Sequence, residues 1–578
     1  MRRFLIGALL LAGLAGLLYL PTGSFDFLRF DDHDYTFRCA FVFDGLSWAN
    51  LKEAFANVRH AGVWMPVTYI SYMVDISLFG PGPGPHHLVN VALHALNAVL
   101  LLALARRLRG KDGAGRGWWI WPAVAFWALH PQRVEAVAWI AARKELLWSG
   151  FTLAGLLCWL RRNSVAAWLG ACAFCALACM SKPTAMCFPL LAFGLDQMVD
   201  DDVRRPQPPW QRFLPYLPLA VMALATGALA AYSQTHAEGH AVRALFSASF
   251  PWRLLNAAVA IGLYLFQMAV PVGIHLDYRA VPGQFPLQGT PGLAVLGLGL
   301  LVSGFWLWSG KAGARSTKLT AILWFLAALL PTLGVLGSFG EHARADRFLY
   351  VPAMAVMIVA ARSGSRRPGR IAHLAAGAIL VLLASASWPV IASYRNDATV
   401  FARTLAFDPD HGRALAHVGQ ATCAKPGGID RGIDLLRRSQ AVRPRDDTAA
   451  QLAYALAMRG HSEDFAEIRR LCGKFACDHR LDAKGQALEA LGMTAMRQRR
   501  WDEAIGCLED SIRAPRRFYS AEDAQLRLAA AYCNAGRGTD AVRMLEPLAQ
   551  SQRTDIRGRA RLALDTLRRN PRAVLLWE

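Results

Sequence analysis

The sequence predicts an all-α fold in two parts, a polytopic helical bundle in a membrane and a soluble tail of helical repeats. Hydrophobic residues make up 54% of the 578 residues, charged residues make up 18%, and the mean hydropathy is positive. The apolar residues lie in blocks that approach the length of about 20 residues a membrane helix needs. From about residue 398 the hydropathy falls and amphipathic helical segments follow in pairs.

Twelve apolar blocks are candidate membrane spans. They lie near residues 4–20, 86–105, 118–138, 146–160, 165–180, 183–199, 213–233, 253–270, 291–309, 318–338, 347–361 and 371–391. The first block follows two arginines and lacks a small-residue cleavage site after it, so we expect an uncleaved span.

Loop charges set the expected topology. The loops rich in lysine and arginine, which are expected to be cytoplasmic, are 106–117, 161–164, 200–212, 310–318 and 362–370. All of them can face one side only if one block does not cross, and 253–270, with Arg253, Asn256 and Gln267, is the weakest. We therefore interpret it as a re-entrant or interfacial helix. The sequence predicts about 11 spans in residues 1–392, with residues 393–578 on the outer side.

The net charge of +21 does not indicate a nucleic-acid partner. The positive charges stand in short loops between apolar blocks, whereas nucleic-acid binding needs a basic patch on one folded face. A membrane-lipid environment accounts for the charge, and we expect no nucleic-acid partner.

Residues 21–85 form the predicted first external loop. Within it, Leu46–Val58 has apolar residues at helical spacing, which suits an amphipathic helix in the headgroup plane. Trp64–Phe79 is apolar enough to rest on the membrane, and a Pro-Gly run at 81–85 ends it.

The tail carries the spacing of tetratricopeptide (TPR) helices. Leu488, Gly492, Ala504 and Leu508 stand at the large and small positions by which the two helices of such a repeat pack. A Trp-Asp-Glu-Ala-Ile turn begins at Trp501. A TPR-like solenoid is the favoured interpretation, with a generic helical array as the alternative.

An acidic run opens the first external loop at Phe30–Tyr35. Acids directly after a membrane span are costly unless they are solvated or used. Neighbouring carboxylates repel one another, which raises the pKa of one and suits it to general-base work. The candidates are Asp31 and Asp32. The same run could hold a divalent cation or form a solvated turn, so the sequence leaves the metal and any cofactor undetermined.

Basic residues also stand in turns that the topology places outside, against the usual bias. Arg143 and Lys144 share one turn, Lys182 lies in a second and Arg347 in a third. Cations at a membrane boundary suit a phosphate whose lipid tail stays in the bilayer. Snorkelling side chains or a structural salt-bridge network are the competing interpretations. The polar residues beside them are His130, Glu135, Glu145 and Asp346.

An ordered series of short motifs runs along most of the chain. It comprises Phe30–Asp32, Gly80, His87–Asn90, His94–Leu96, His130–Pro131, Glu135–Ile140, Arg143–Glu145, Ser181–Pro183, Ala345–Pro352 and Tyr394–Asp397. Each motif is weak alone, but the series resembles the transmembrane and TPR-repeat-containing family. The animal members of that family are protein O-mannosyltransferases of the GT-C fold, and this chain resembles a bacterial-type member.

The resemblance implies a GT-C-like bundle in which an acid of the first external loop is the catalytic base, here Asp32 or Asp31. It implies a sugar donor carried on a polyprenyl phosphate or pyrophosphate. The implied donor contacts are Arg143, Lys144, Lys182 and Arg347. The chain has Met65–Pro66 where relatives often have Arg-Pro, so any contact made by that arginine is missing.

The predicted function is inverting sugar transfer from a polyprenyl-phosphate donor to a protein or envelope hydroxyl at the outer membrane face, with the tail docking the acceptor. A non-catalytic membrane scaffold is the alternative from another class. Transport is a weaker third interpretation, because the blocks lack the midplane charges that an ion path needs. Composition favours a bacterial inner membrane with a periplasmic tail, or the endoplasmic reticulum membrane in a eukaryotic cell.

Overall fold

The computed structural model describes most of the chain. The described residues are 2–37, 39–58, 60–108, 118–198, 209–236, 249–279, 297, 312–335, 342–362, 369–473, 483–514, 521–551, 553–570 and 573–575. They form two compact units, Met1–Val400 and Phe401–Glu578. The described structure is almost entirely helical.

The first unit is a set of α-helices around a core rich in tryptophan, with Trp127, Trp139, Trp148 and Trp159 almost fully buried. Its α-helices are Arg2–Tyr19, Asp32–Tyr35, Ala40–Phe43, Trp48–Ala56, Pro66–Phe79, Pro83–Arg107, Ile120–Leu129, Val134–Ala138, Arg143–Trp159, Val165–Ser181, Phe188–Asp196, Leu217–Thr235, Phe250–Ala269, Ala312–Leu329, Ala355–Arg362 and Arg370–Ser393. Helix Asp397–Phe407 begins in this unit and continues into the second.

Five helical segments among the described residues are long and apolar enough to cross a membrane. They are Phe4–Ser24, Pro83–Arg107, Trp210–Thr235, Phe250–Ala269 and Arg370–Ser393. Shorter apolar helices are Ile120–Leu129, Val165–Ser181, Pro183–Asp196 and Thr317–Thr332. These helices make the chain an integral membrane protein. The candidate span 291–309 lies almost wholly outside the described residues.

The block at 253–270 is a continuous helix, Phe250–Ala269, with the length and apolarity of a span. Its polar residue Gln267 is buried, and its side-chain amide donates to the carbonyl of Val272 at 3.0 Å. Protein groups therefore satisfy this one polar side chain, and the interfacial placement of the block stays a prediction.

Two of the expected spans are not continuous helices. The block 118–138 contains a helix of only 10 residues, Ile120–Leu129, and the block 347–361 contains Ala355–Arg362. Proline explains the break in the first block, because it lacks an N–H and disfavours a helical residue before it, and His130 before Pro131 is extended. The 3₁₀ turns Pro131–Arg133 and Pro352–Met354 each begin at a proline.

Further 3₁₀ turns interrupt or join the helices of the first unit. They are Leu20–Ser24, His60–Gly62, Ile140–Ala142, Pro183–Cys187, Pro209–Arg212, Leu214–Tyr216, Leu330–Thr332 and Asp346–Leu349. Irregular backbone at membrane depth is tolerated where protein surrounds it. The turns at 131–142 are buried on all sides, so they can carry polar residues inside an apolar bundle.

The two longest helices of residues 21–85, the predicted first external loop, are Trp48–Ala56 and Pro66–Phe79. Trp48–Ala56 starts at Ser47, whose hydroxyl accepts from the N–H of Asn50, and it exposes 73% of Trp48. The second, Pro66–Phe79, is called the loop helix below. One face of it, with Thr68, Tyr72 and Asp75, is buried in protein, while Leu78 and Phe79 are exposed, and the expectation that it rests on the membrane stays a prediction.

One short antiparallel pairing joins strands Tyr278–Arg279 and His342–Arg344 among the described residues. The second unit is helical. Its elements are Gly412–Cys423, Ile429–Val442, Asp446–Arg459, the turn Ser462–Asp464, Phe465–Cys472, Lys484–Arg497, Trp501–Arg513, Glu522–Asn534, Gly538–Leu548 and Thr554–Arg569.

Close packing occurs at the expected small residue of the second unit. A Cβ on Gly492 would stand 2.7 Å from Cγ of Leu508, so only glycine allows helices Lys484–Arg497 and Trp501–Arg513 to approach this closely. Ala504 and Leu508 are fully buried at the same contact.

Candidate active site

Asp32 is fully buried at the start of helix Asp32–Tyr35. Its Oδ2 accepts the N–H of Leu28 at 2.8 Å, and its Oδ1 accepts the N–H of Ala141 at 2.7 Å. Burial raises the pKa of this carboxyl to about 8, against the lowering effect of the two N–H groups. Asp32 therefore joins the first loop to the turn Ile140–Ala142.

Asp31 precedes it and remains partly exposed. The negative charge of Asp31 acts on the cations of Lys144 and Arg347, which come from distant parts of the chain. Of the two predicted catalytic acids, Asp31 is thus the one that is partly exposed, and both contribute negative charge near Lys144.

All four predicted donor contacts lie over aromatic rings, Arg143 over that of Tyr72. The ammonium of Lys144 stands 4.4 Å from the ring centre of Tyr35, and its Nζ is 3.0 Å from the phenol oxygen. Lys182 and Arg347 both lie over Phe348, at 4.9 and 4.8 Å. Aromatic faces stabilise cations that have lost water. Lys182 and Arg347, separate in sequence, therefore share one ring.

The two cations over Phe348 also have carboxylate partners. Lys182 pairs with Oε1 of Glu145. The guanidinium of Arg347 pairs with Oε1 of Glu135, whose Oε2 accepts the Arg347 backbone N–H at 2.9 Å. Burial lowers the pKa of Lys182 to about 8 although Glu145 opposes this. Glu135 and Glu145 are thus supporting residues that hold the cations.

Lys144 differs from the other two cations. Within the part of the chain that the structure describes, it makes no ion pair with a carboxylate, and its hydrogen bond goes to the neutral phenol of Tyr35. Its charge is therefore the most available of the three for an anionic ligand.

Arg143 lies next to Lys144 but points elsewhere. Its guanidinium is fully buried and donates to Oδ1 of Asn90 at 2.8 Å and to the carbonyls of His86 and Ser71 at 2.8 and 3.2 Å. It also pairs with Oδ2 of Asp75 at 2.5 Å. These protein partners give Arg143 a structural position, which argues against the expected donor contact.

His130 also serves the local fold. It is buried, its Nδ1 accepts the N–H of Gln132 at 3.2 Å, and its Nε2 lies 3.2 Å from the carbonyl of Met268. One neutral tautomer satisfies both contacts, because Nε2 donates while Nδ1 accepts. His130 therefore caps the turn Pro131–Arg133 behind Glu135.

Asp346 is buried beside the Glu135–Arg347 pair. Its Oδ2 accepts the hydroxyl of Tyr278 at 2.6 Å, while Oδ1 lacks a partner among the described residues. Burial raises the pKa of Asp346 to about 6. Among the described residues no group of three or more histidine, cysteine, aspartate or glutamate side chains could hold a metal ion. The divalent-cation interpretation of the acidic run gains no support there.

Sequence reasoning missed several residues of this region. Asp75, His86 and Tyr278 were not singled out as site residues, and neither was the ring of Phe348. A signal existed for Asp75, because a single carboxylate inside an apolar segment needs a partner or a function. Phe348 and Tyr278 carried no such signal, since aromatic residues are common in apolar segments.

Comparison with known proteins gives partial relatives. Protein O-mannosyl-transferase TMTC2 of Mus musculus and that of Homo sapiens are each 30% identical over 169 residues, 28% of this chain and 19% of theirs. Protein O-mannosyl-transferase Tmtc1 of Drosophila melanogaster is 30% identical over 148 residues, 24% of this chain and 16% of that protein. The chain is similar to TMTC proteins over about a quarter of its length.

The match spans less than a fifth of Tmtc1 and about a fifth of TMTC2. No family model and no solved structure matches the chain. The relatives support the predicted family and a membrane glycosyltransferase. The bacterial-type assignment stays a prediction.

Proposed function

We propose that this chain is an inverting GT-C-type glycosyltransferase that moves a sugar from a polyprenyl-phosphate donor to a protein hydroxyl. The observation that carries the proposal is that Lys182 and Arg347 share the ring of Phe348 while Lys144 bonds to Tyr35 near the partly exposed Asp31. Such a site offers a base and several cations where a lipid tail can stay in the bilayer. The relatives are named as protein O-mannosyl-transferases, which supports mannose as the sugar.

In the proposed reaction the acceptor hydroxyl oxygen attacks the anomeric carbon while the bond from that carbon to the phosphate oxygen breaks. The phosphate leaves with the bonding electron pair, and the hydroxyl proton passes to a carboxylate. We propose Asp31 as the base because it is partly exposed, whereas Asp32 is fully buried and accepts the Leu28 and Ala141 N–H groups. Asp32 then positions the loop that presents Asp31.

The cations would stabilise the phosphate as its negative charge grows, a role in which fixed charges in a dry site are effective. Lys144 is the first donor contact we propose, since among the described residues it lacks a carboxylate partner. Lys182 and Arg347 would add to it while Glu145 and Glu135 hold them in place.

We further propose a topology of about 11 spans and a TPR-like tail on the outer side, where its repeats would dock the acceptor protein. The close approach at Gly492 and Leu508 supports a repeat-type helix pair. The proposed location is a bacterial inner membrane with the tail in the periplasm.

A membrane scaffold is the second candidate. The buried pairs Lys182–Glu145 and Arg347–Glu135 favour it, because a structural salt-bridge network would look the same. The test is a transfer assay with the purified chain, a panel of polyprenyl-phosphate sugars and acceptor proteins. Transfer from one of the donors supports the enzyme, and failure with every donor favours the scaffold.

A further inference from the structure

One face of the loop helix carries three buried polar side chains. Thr68, Tyr72 and Asp75 are four and three residues apart, a spacing that places them on the same side of a helix. The first two are 0% exposed and Asp75 is 3% exposed. Polar groups buried this deeply need partners, and the partners show what this face does.

The partners of two residues are backbone groups beside the candidate site. The hydroxyl of Thr68 donates to the carbonyl of Ser181 at 2.8 Å, and Ser181 precedes Lys182. The hydroxyl of Tyr72 donates to the carbonyl of Ile140 at 2.7 Å. Ile140 directly precedes Ala141, whose N–H binds Asp32.

The third residue holds the helix that carries Lys144. Oδ2 of Asp75 pairs with the guanidinium of Arg143 at 2.5 Å and accepts from Nδ1 of His86 at 2.8 Å. The ring of Tyr72 also lies 4.5 Å from that guanidinium. Arg143 is the first residue of helix Arg143–Trp159, so fixing it fixes Lys144 and Glu145 in the same turn.

We propose that Thr68, Tyr72 and Asp75 are positioning residues that hold three site-bearing segments in register. These segments, called the site segments below, are 139–142, 143–145 and 181–183. The effect of these positioning residues on catalysis rests on the proposed function. A displacement of about 1 Å at reacting groups can cost a hundredfold in rate, which makes one rigid helix joined to all three segments an effective support.

Tyr72→Phe is the cleanest test, because it removes one hydroxyl and keeps the ring. In the full-length protein we expect faster amide hydrogen exchange in the site segment 139–142 and a turnover lowered about tenfold, within the range of small misplacements. The donor KM should change little. Thr68→Val should likewise speed exchange in the site segment 181–183 and lower turnover. Thr68→Ser keeps the hydroxyl, so its exchange and turnover should return to the wild-type values.

Ser77→Ala is the matched control. Ser77 lies on the exposed end of the same helix, and its hydroxyl accepts from the N–H of Leu46 rather than from a site segment. We expect its exchange and turnover to equal those of the wild type.

The outcomes separate this inference from the proposed function. Unchanged exchange in both Tyr72→Phe and Thr68→Val overturns the inference, and so does faster exchange with normal turnover. A wild type that transfers no sugar, yet shows the exchange response, overturns the proposed function and supports the role of this helix face in holding the segments.

Discussion

The carboxyl of Asp32 accepts a hydrogen bond at 2.7 Å from the backbone N–H of Ala141, 109 residues further along the chain. Its other oxygen binds the N–H of Leu28. One side chain thus connects the segment that follows the first helix to the turn that precedes Lys144. This bond changes what a substitution of Asp32 is expected to do.

Asp32→Asn should destabilise the protein. A residue that acted only as a general base would lose activity with its stability unchanged. An asparagine has one acceptor oxygen, so its amide nitrogen would face a backbone N–H. A buried donor left unsatisfied costs about 1–3 kcal/mol. The melting temperature of the variant in detergent checks this, and a wild-type melting temperature would contradict the two-bond geometry.

The raised pKa of Asp32 predicts a pH dependence of stability. Between its unfolded pKa of about 4 and its folded pKa of about 8, the folded state binds more protons than the unfolded state. The contribution is therefore fully present at low pH and is lost as pH rises through 8. Melting temperatures of wild type and Asp32→Asn from pH 5 to 9 should converge as pH rises. Parallel curves would show that this carboxyl does not titrate there.

Lys144 and Lys182 should respond differently to glutamine. Lys144→Gln should raise the donor KM about tenfold or more, the scale of one charge-assisted phosphate contact, with little loss of stability. Lys182→Gln should also destabilise, because it leaves Glu145 buried without its cation, a loss of about 3–5 kcal/mol.

The control for this pair is the double variant Lys182→Gln with Glu145→Gln. Removing both charges should recover much of the lost stability, while donor use stays impaired.

If Lys144→Gln kept the wild-type donor KM, the proposed donor contacts Lys144, Lys182 and Arg347 would be structural residues instead.

Arg143→Gln separates folding from donor binding. Its guanidinium is satisfied by protein groups and neutralises Asp75, so its loss should lower expression and melting temperature. The donor KM of the surviving protein should stay near the wild-type value. A raised KM with normal stability would return Arg143 to the donor contacts.

Much of this region could be predicted from sequence because it has charged residues beside apolar blocks, where charges are unusual. Lysine, arginine and aspartate beside apolar blocks stand out, and this is why the sequence points to Asp31, Lys144, Lys182 and Arg347 as candidates. Proline also marks the places where the expected spans 118–138 and 347–361 break into turns, yet hydropathy averaging passes over it.

The rest depends on contacts that spacing does not encode. Nothing in the sequence separates Arg143, which turns toward Asp75, from Lys144, which turns toward Tyr35. Helix geometry sends adjacent side chains in directions about 100° apart, and only the packed structure shows which direction leads to the site. The sequence likewise favours a membrane-surface segment for the loop helix, because only three polar residues form its buried face and the rest of the segment is largely apolar.

The topology has its own test. With the tail on the outer side, a cysteine introduced at exposed Arg470 should react with a membrane-impermeant thiol reagent in intact cells, and one at Arg107 should react only after lysis. The background is a variant without reactive native cysteines. Protection of the tail in intact cells would contradict docking of the acceptor outside.

The central claim is sugar transfer that depends on a carboxylate of the first loop. Asp31→Asn keeps the size of the side chain and removes its ability to accept a proton, and the melting temperature of the variant is measured beside its activity. The measurement is the rate of sugar transfer from a polyprenyl-phosphate mannose donor to an acceptor protein by purified wild type and variant. The account predicts transfer by wild type and a loss of about a hundredfold or more in Asp31→Asn, the effect of removing a general base. Equal transfer by both proteins would contradict it.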